Sequence, residues 1–293
     1  MKRIGLGIIA MTLTTGCMQQ EKGGSFGDDL AFLKKHAEVI VLSDAAGQAQ
    51  VALVPKLQGR VMTSTVEGPQ GLSLGWINRE LFAAGKLQQH INPFGGEDRF
   101  WMGPEGGQFA IFFAKGVPFD YEHWQTPAAI DTAPFEVVSH SQDKATFHRK
   151  CQLTSYSGTQ FDVDIHREVR LLPADEAWKN LGVGAPAGVK LVGFETDNRI
   201  TNAGQAPWKK ETGLLSIWIL GMFNPSPATT IVIPIRPGPE AELGPMVNAD
   251  YFGKVPPERL VVKDNVVYFS GDGQYRSKSG ISPKRCKPIR GSF

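Results

Sequence analysis

An alternation of apolar and polar residues over positions 161–172 is the feature that most constrains the fold of this chain. The apolar residues of this run share one face and are Phe161, Val163, Ile165, Val169 and Leu171. The polar residues share the opposite face and are Asp162, Asp164, His166, Glu168 and Arg170. A period of two is typical of a strand with one buried and one solvated face, as in antiparallel sheets.

Shorter runs of β-branched or alternating residues recur between Gly- and Pro-rich turns. They cover residues 39–42, 48–54, 60–66, 108–113, 135–140, 146–153, 189–195, 214–220, 229–235 and 260–270. Helices are predicted after a cap at Asp28 or Asp29, and over 78–85, where Asn78 is the cap and Gly85 the stop. The pattern predicts an all-β protein whose residues 28–293 form one large antiparallel β-sandwich, with Trp218 in its core.

The N-terminus predicts export and lipid anchoring. Lys2 and Arg3 precede an apolar run over 4–13, which is too short for a transmembrane helix. Thr14-Thr15-Gly16-Cys17 resembles a bacterial lipobox, so residues 1–16 are predicted to be a signal peptide and Cys17 the lipidated residue. A polar tether over 17–27 follows, and no Asp follows the cysteine, so we expect the outer membrane of the cell envelope. An ordinary secretory signal with a chance cysteine is the alternative.

The charge balance and the few cysteines bear on the possible partners and on disulfide content. Removal of residues 1–16 leaves 29 basic and 29 acidic residues, so no nucleic-acid partner is expected. Cys151 and Cys286 are too few for a disulfide framework, and free thiols are expected rather than a bond between them. The basic stretch over 277–293 ends in a turn, and we expect the domain to be truncated at its C-terminus; a disordered tail is the alternative.

A Gly- and Pro-rich segment over 92–108 carries the candidate ligand-binding residues. Arg99 is expected to hold a hydroxyl or carboxylate, Trp101 to stack on a sugar ring, and Asp98 to contribute to the site. Glu97 and Glu105 are candidate catalytic carboxylates. Calcium held by Glu97, Asp98 and Glu105 is a minor hypothesis. The alternative is a tight structural corner, with Arg99 paired to a carboxylate and Trp101 half buried.

A second loop, over 119–124, also mixes aromatic and charged residues. His123 is the candidate catalytic acid, and Trp124 is an outer ligand-binding candidate. The apolar face of a sugar can lie on such aromatic rings while its hydroxyls contact charged groups. The loop therefore favours a carbohydrate ligand.

Other chemistries have weaker support. Ser73 lies in a G-x-S-x-G sequence, but the strand-like alternation around it and the missing βαβ pattern argue against a hydrolase nucleophile. Common metal and cofactor motifs are absent, so neither is predicted. His166 and Glu168 share a strand face with Asp162 and Asp164, which could hold a cation but is more typical of a solvated sheet face.

Four motifs together resemble a family of uncharacterised bacterial lipoproteins that is similar to the galactose-mutarotase-like (aldose epimerase-like) β-supersandwich proteins. They are Gly59-Arg60-Val61-Met62-Thr63-Ser64-Thr65, Gly75-Trp76-Ile77-Asn78, the stretch 95–108 and the stretch 198–207 with Thr201-Asn202-Ala203-Gly204. The resemblance implies carbohydrate binding on the concave face of the larger sheet, and a domain that continues past Phe293. It does not carry mutarotase activity over, because neither histidine motif of the epimerases is matched and their late glutamate falls near or beyond Phe293.

Two functions follow as expectations. The first is a carbohydrate-binding lipoprotein of the cell envelope, anchored to the membrane at Cys17. The second is a sugar-active enzyme (an epimerase, lyase or hydrolase) with Glu97 or Glu105 as base and His123 as acid. A structural scaffold whose aromatic residues are core is a third reading.

Overall fold

The computed structural model describes residues 24–181, 184–287 and 291–292. Within these ranges the chain is mostly β and forms several small antiparallel sheets joined by loops and short helices, which confirms the predicted β-rich class. The signal peptide over 1–16, Cys17 and most of the predicted tether lie outside the described residues. None of the helices in the described part of the chain is both long and apolar enough to cross a bilayer.

The strands fall into four sheets within the described ranges. The first sheet, in spatial order, contains β1 (Ile40–Ser43), β2 (Gln50–Val54) and β3 (Arg60–Thr65). The second pairs β4 (Arg99–Gly103) with β9 (Ser216–Leu220), and the third contains β5 (Glu136–His140), β6 (Lys144–Thr154), β7 (Gln160–Leu172) and β8 (Gly193–Asn202). The fourth has the order β11 (Leu260–Lys263), β12 (Val266–Ser270), β10 (Thr230–Pro234) and β13 (Gly291–Ser292).

Five α-helices are present in the described residues: α1 (Phe26–His36), α2 (Arg79–Ala84), α3 (Ala128–Asp131), α4 (Ala174–Leu181) and α5 (Glu240–Leu243). Short 3₁₀ turns occupy Pro55–Leu57, Gly68–Gln70 and Pro283–Arg285. The predicted caps of α2 are confirmed: the Leu81 amide donates to Asn78 Oδ1 at 3.0 Å, and Gly85 ends the helix with φ +60°. For α1 the predicted cap is wrong, because Ser25 caps the helix in a capping box with Asp28.

The β7 strand confirms the alternation seen in the sequence. Its five apolar residues are buried and join the largest hydrophobic core, which also contains Phe100, Trp101 and Phe147. It pairs antiparallel with β6 from Lys144↔Arg170 to Thr154↔Gln160. The opposite face of this sheet is polar and open to solvent, as the sequence predicts.

Two local predictions are wrong. Residues 108–113 are not a strand, because turns use their backbone groups: the Ala110 amide donates to the Gly107 carbonyl, and the Ile111 amide to that of Pro104. Trp218 is paired with Trp101 across β4 and β9, yet its side chain is 44% exposed rather than in the core.

Cys151 and Cys286 are not disulfide-bonded, as the sequence predicts.

Candidate functional site

The Gly-rich segment turns sharply into β4 and places its charged side chains in the interior. Gly95 has φ +89°, and a Cβ there would lie 2.1 Å from the Trp76 carbonyl oxygen. Gly96 has φ +106°, and a Cβ there would lie 2.8 Å from both Arg60 Cδ and the Val61 carbonyl oxygen. Only glycine combines this conformation with so close an approach, so the two residues set the direction in which the following side chains point.

Arg99 is buried and paired with Asp131. Its Nη2 donates to Asp131 Oδ1 at 2.9 Å and to the Ile130 carbonyl at 3.1 Å. Its guanidinium lies over the Trp101 ring, 4.4 Å from the centroid, a distance typical of a cation–π contact. Burial lowers the pKa of Arg99, and the carboxylate of Asp131 opposes that shift. Arg99 thus forms the carboxylate pair that a tight structural corner would require. Trp101 is fully buried, whereas that alternative predicts a half-buried ring.

Asp98 joins the same segment to the large sheet. Its Oδ1 accepts from Arg167 Nη2 at 2.5 Å, and its Oδ2 accepts from the Thr196 hydroxyl at 3.1 Å. Arg167 also donates from Nη1 to Asn198 Oδ1 at 2.6 Å. Sequence reasoning missed Arg167, although one signal was present: a charged residue occupies a position on the apolar face of the β7 alternation.

Glu97 is a buried carboxylate with one dominant partner. Its Oε1 accepts from the Ser64 amide at 2.7 Å, and both of its oxygens accept from the Ser64 hydroxyl. Burial disfavours the charged form and raises the pKa of Glu97 to about 7, although the bonds from Ser64 oppose this shift. Glu97 can therefore carry a proton near neutral pH.

The candidate residues of the Gly-rich segment are thus engaged with protein partners. Glu97, Asp98, Arg99 and Trp101 are buried, and Glu105 is half buried and accepts from Trp101 Nε1 at 2.7 Å. Among the described residues, the three acids proposed for calcium do not form a group of metal-ligating atoms. Their ligand-binding roles are predictions from the sequence.

A continuous series of aromatic contacts leads from Trp101 to the surface. Trp101 lies 5.4 Å from Phe112 between ring centroids, and Phe112 stacks on Trp124 at 5.1 Å with an interplanar angle of 15°. Trp124 stacks in turn on Tyr121 at 6.5 Å and 15°, and Tyr121 contacts His90 at 4.6 Å. We refer to these five residues as the aromatic stack.

The outer end of the aromatic stack combines exposed rings with an ionisable pair. Tyr121 is 69% exposed. Asp120 Oδ1 lies 2.6 Å from His123 Nδ1 and accepts from the His123 amide at 3.0 Å. The hydrogen bond with the His123 side chain lowers the pKa of Asp120. His123 and Trp124, neighbours in the sequence, thus both lie in this outer loop, and the stack leads inward to Trp101, which donates to Glu105.

Ser73 is buried and paired with a second hydroxyl group. Its buried hydroxyl lies 2.6 Å from that of Thr63, which also accepts from the Gly75 amide at 3.0 Å. A hydroxyl pair of this kind lacks the base that a nucleophilic serine requires. This contact supports the sequence-based argument against Ser73 as a hydrolase nucleophile.

Comparisons with known proteins give a family. A similar solved structure is that of the Slr1438 protein from Synechocystis sp. PCC 6803, with 20% identity, 68% of this chain and 59% of that chain covered, and a TM-score of 0.37. The chain thus corresponds to less than two thirds of the length of that protein. No curated protein matches the chain. The profile of the DUF6786 family, described as a family of unknown function, matches residues 24–293, and the chain belongs to this family.

Proposed function

We propose that this protein binds carbohydrate at the outer end of the aromatic stack. The observation that carries the proposal is the exposed Tyr121 ring, stacked beside Trp124 and adjacent in the loop to the Asp120–His123 pair. Aromatic faces suit the C–H surface of a sugar, and a carboxylate with an imidazole suits its hydroxyls. This combination matches the ligand class that the sequence indicates.

The aromatic stack supports the proposal because it orders the binding surface in advance. The Trp124 ring stacks in parallel on the more deeply buried Phe112, and the Trp124 carbonyl lies 2.7 Å from His90 Nδ1. A platform that is already rigid loses little conformational entropy when a ligand binds. Arg99 and Trp101 then act as the base of the stack and support Trp124 through Phe112, without direct ligand contact in this conformation.

The wider setting is proposed from the sequence. The lipobox-like segment supports lipidation at Cys17 and a location at the cell envelope, with the outer membrane as the expected site. The motif resemblance supports a galactose-mutarotase-like β-supersandwich and, with it, a carbohydrate ligand. A surface loop on an anchored domain would be free to meet soluble or cell-wall sugars.

The test is calorimetric titration of the full chain with a panel of neutral and acidic sugars, with and without Ca²⁺. For a sugar that binds, Tyr121→Ala and Trp124→Ala should each weaken affinity about 10-fold or more, equivalent to about 1.4 kcal/mol. Tyr251→Ala is the matched control, because Tyr251 is also 69% exposed but lies outside the stack. Binding that is unchanged in both stack variants would refute this location.

An enzymatic role is the second candidate, and the raised pKa of Glu97 favours it. A carboxylic acid with a pKa of about 7 suits proton transfer at neutral pH. Product analysis with each bound sugar separates the two functions: a binder releases the sugar unchanged. If product forms, Glu97→Gln or Glu105→Gln should retain sugar binding while turnover falls by about 10² or more.

A further inference from the structure

A second cluster of polar side chains lies on the outer face of the large sheet, away from the aromatic stack. His148 on β6 and His166 on β7 are directly opposite each other in the antiparallel register. Asp164 precedes His166 by two residues, so the pleat of β7 places both on the same face. The sequence alternation predicts that Asp164 and His166 share a strand face. His148 lies beside them because β6 pairs with β7.

Both imidazoles are directed at a single carboxylate. His148 Nε2 lies 2.7 Å from Asp164 Oδ1, and His166 Nε2 lies 3.1 Å from the same oxygen. The potential ligand atoms of the three residues all lie within 4.8 Å of one another. In a tetrahedral zinc site with bonds of about 2.0–2.1 Å, neighbouring ligand atoms are roughly 3.3 Å apart. Small rotamer adjustments therefore suffice to bring all three onto one ion.

The surrounding charges leave the carboxylate available. Lys150 Nζ is 3.7 Å from Asp164 Oδ2, but its side chain is largely exposed and free to move aside. Arg199, opposite His166 in the register, is paired with Asp197.

We propose that His148, Asp164 and His166 form a binding site for a divalent transition-metal ion, with zinc as the representative ion. Two imidazole nitrogens and one carboxylate oxygen suit borderline ions such as Zn²⁺ better than Ca²⁺ or Mg²⁺. Three protein ligands leave at least one coordination position for water or an external ligand. Each histidine must offer the Nε2 lone pair, so binding moves the Nε2 proton to Nδ1 or releases it to solvent.

The first experiment is titration of the full chain, with its thiols alkylated, with Zn²⁺ alone. Alkylation removes cysteine as a competing ligand. We expect one zinc ion per chain, and affinity reduced about 100-fold or more in each of His148→Ala, His166→Ala and Asp164→Asn. Loss of even an outer hydrogen-bond partner costs 10–100-fold, so loss of a direct ligand should cost at least as much.

Matched controls come from the same sheet. His140→Ala removes an exposed histidine of β5, and Asp162→Asn removes a carboxylate of the same β7 face that accepts from Gln152 Nε2 at 2.9 Å. Both controls should bind zinc as the unaltered chain does. NMR of the histidine rings gives a second readout, in which zinc shifts the side-chain signals of His148 and His166 and leaves His140 unmoved.

Three results would overturn the proposal. The first is absence of zinc binding by the unaltered chain at 100-fold molar excess. The second is affinity that falls equally in the site variants and in the two controls. The third is zinc-induced shifts confined to histidines other than His148 and His166.

Discussion

The guanidinium of Arg167 lies 2.5 Å from Asp98 Oδ1, with the arginine side chain fully buried. This ion pair joins the Gly-rich segment to the middle of the large sheet, between residues 69 positions apart in the chain. Arg167 Nε donates as well to the Gly59 carbonyl at 3.2 Å. The buried Arg167 side chain therefore contacts three separate segments, at Gly59, Asp98 and Asn198. The Asp98 carboxylate is the partner of its positive charge.

Removal of that partner should be strongly destabilising. Asp98→Ala leaves a buried, uncompensated guanidinium, and loss of one member of a buried pair costs about 3–5 kcal/mol. We expect the free energy of unfolding, measured by urea denaturation, to fall by that amount. Asp162→Ala, which removes an exposed aspartate of β7, should change it by about 0.5 kcal/mol or less. Equal losses in both variants would show that the Arg167–Asp98 pair adds no stability.

The close approach of Gly95 to Trp76 gives a second prediction. Gly95→Ala places a Cβ 2.1 Å from the Trp76 carbonyl oxygen, at φ +89°. Gly107→Ala is the control, because it has a similar φ of +80° but no atom within 4 Å of the added Cβ. Both variants place an alanine at a positive φ, which costs about 1 kcal/mol or more.

Only Gly95→Ala adds a steric clash, so its unfolding free energy should be lower than that of Gly107→Ala by a further 1–3 kcal/mol or so. Thermal and urea unfolding of the two variants side by side measures this difference. If the two variants are equally stable, the backbone at Gly95 can move away from Trp76, and the turn does not depend on the close contact.

The pKa of Glu97 predicts a pH dependence of stability. Its pKa is about 7 in the folded protein, against an ordinary value of 4.5. Between these values the unfolded chain loses the proton while the folded chain keeps it, so stability falls as pH rises from 4.5 to 7 and is level above that. The shift corresponds to roughly 3 kcal/mol.

Glu97→Gln isolates this contribution, because every other titrating group is common to both proteins. The unfolding free energy of the unaltered chain minus that of Glu97→Gln should decrease by roughly 3 kcal/mol between pH 4.5 and 7.5. Ser64→Ala removes hydroxyl bonds that favour the carboxylate and should move the midpoint upward. A difference that increases with pH would mean that the bonds from Ser64 outweigh burial.

Local sequence signals predicted the elements whose structure depends on neighbouring residues. The β7 alternation and the Asn78 and Gly85 caps are of this kind, because each rests on a short-range periodicity or backbone preference. The strand predicted over 108–113 failed because the turn set by Gly107 took up the backbone groups that a strand would have used.

The candidate site depends on contacts that no local pattern encodes. The partner of Arg99 is Asp131, 32 residues away, and neither residue type nor spacing identifies it. The sequence marked the 119–124 loop as aromatic and charged, but the stacking of Trp124 on Phe112 follows from tertiary packing. The His148–His166 pair likewise needs the register of two strands, which a single sequence leaves open.

Trp101 on β4 and Trp218 on β9 are paired in the sheet, but one is in the core and the other is at the surface. Trp101 is 1% exposed, contacts Phe112 and Arg99, and donates to Glu105, so Trp101→Ala should cost about 3–5 kcal/mol. Trp218 is 44% exposed and its Nε1 donates to Ser216 Oγ at 3.0 Å, so Trp218→Ala should cost about 1 kcal/mol or less. Urea denaturation of both variants measures the contrast. If Trp218→Ala is as damaging as Trp101→Ala, the exposed face of β9 is covered in the folded protein in solution.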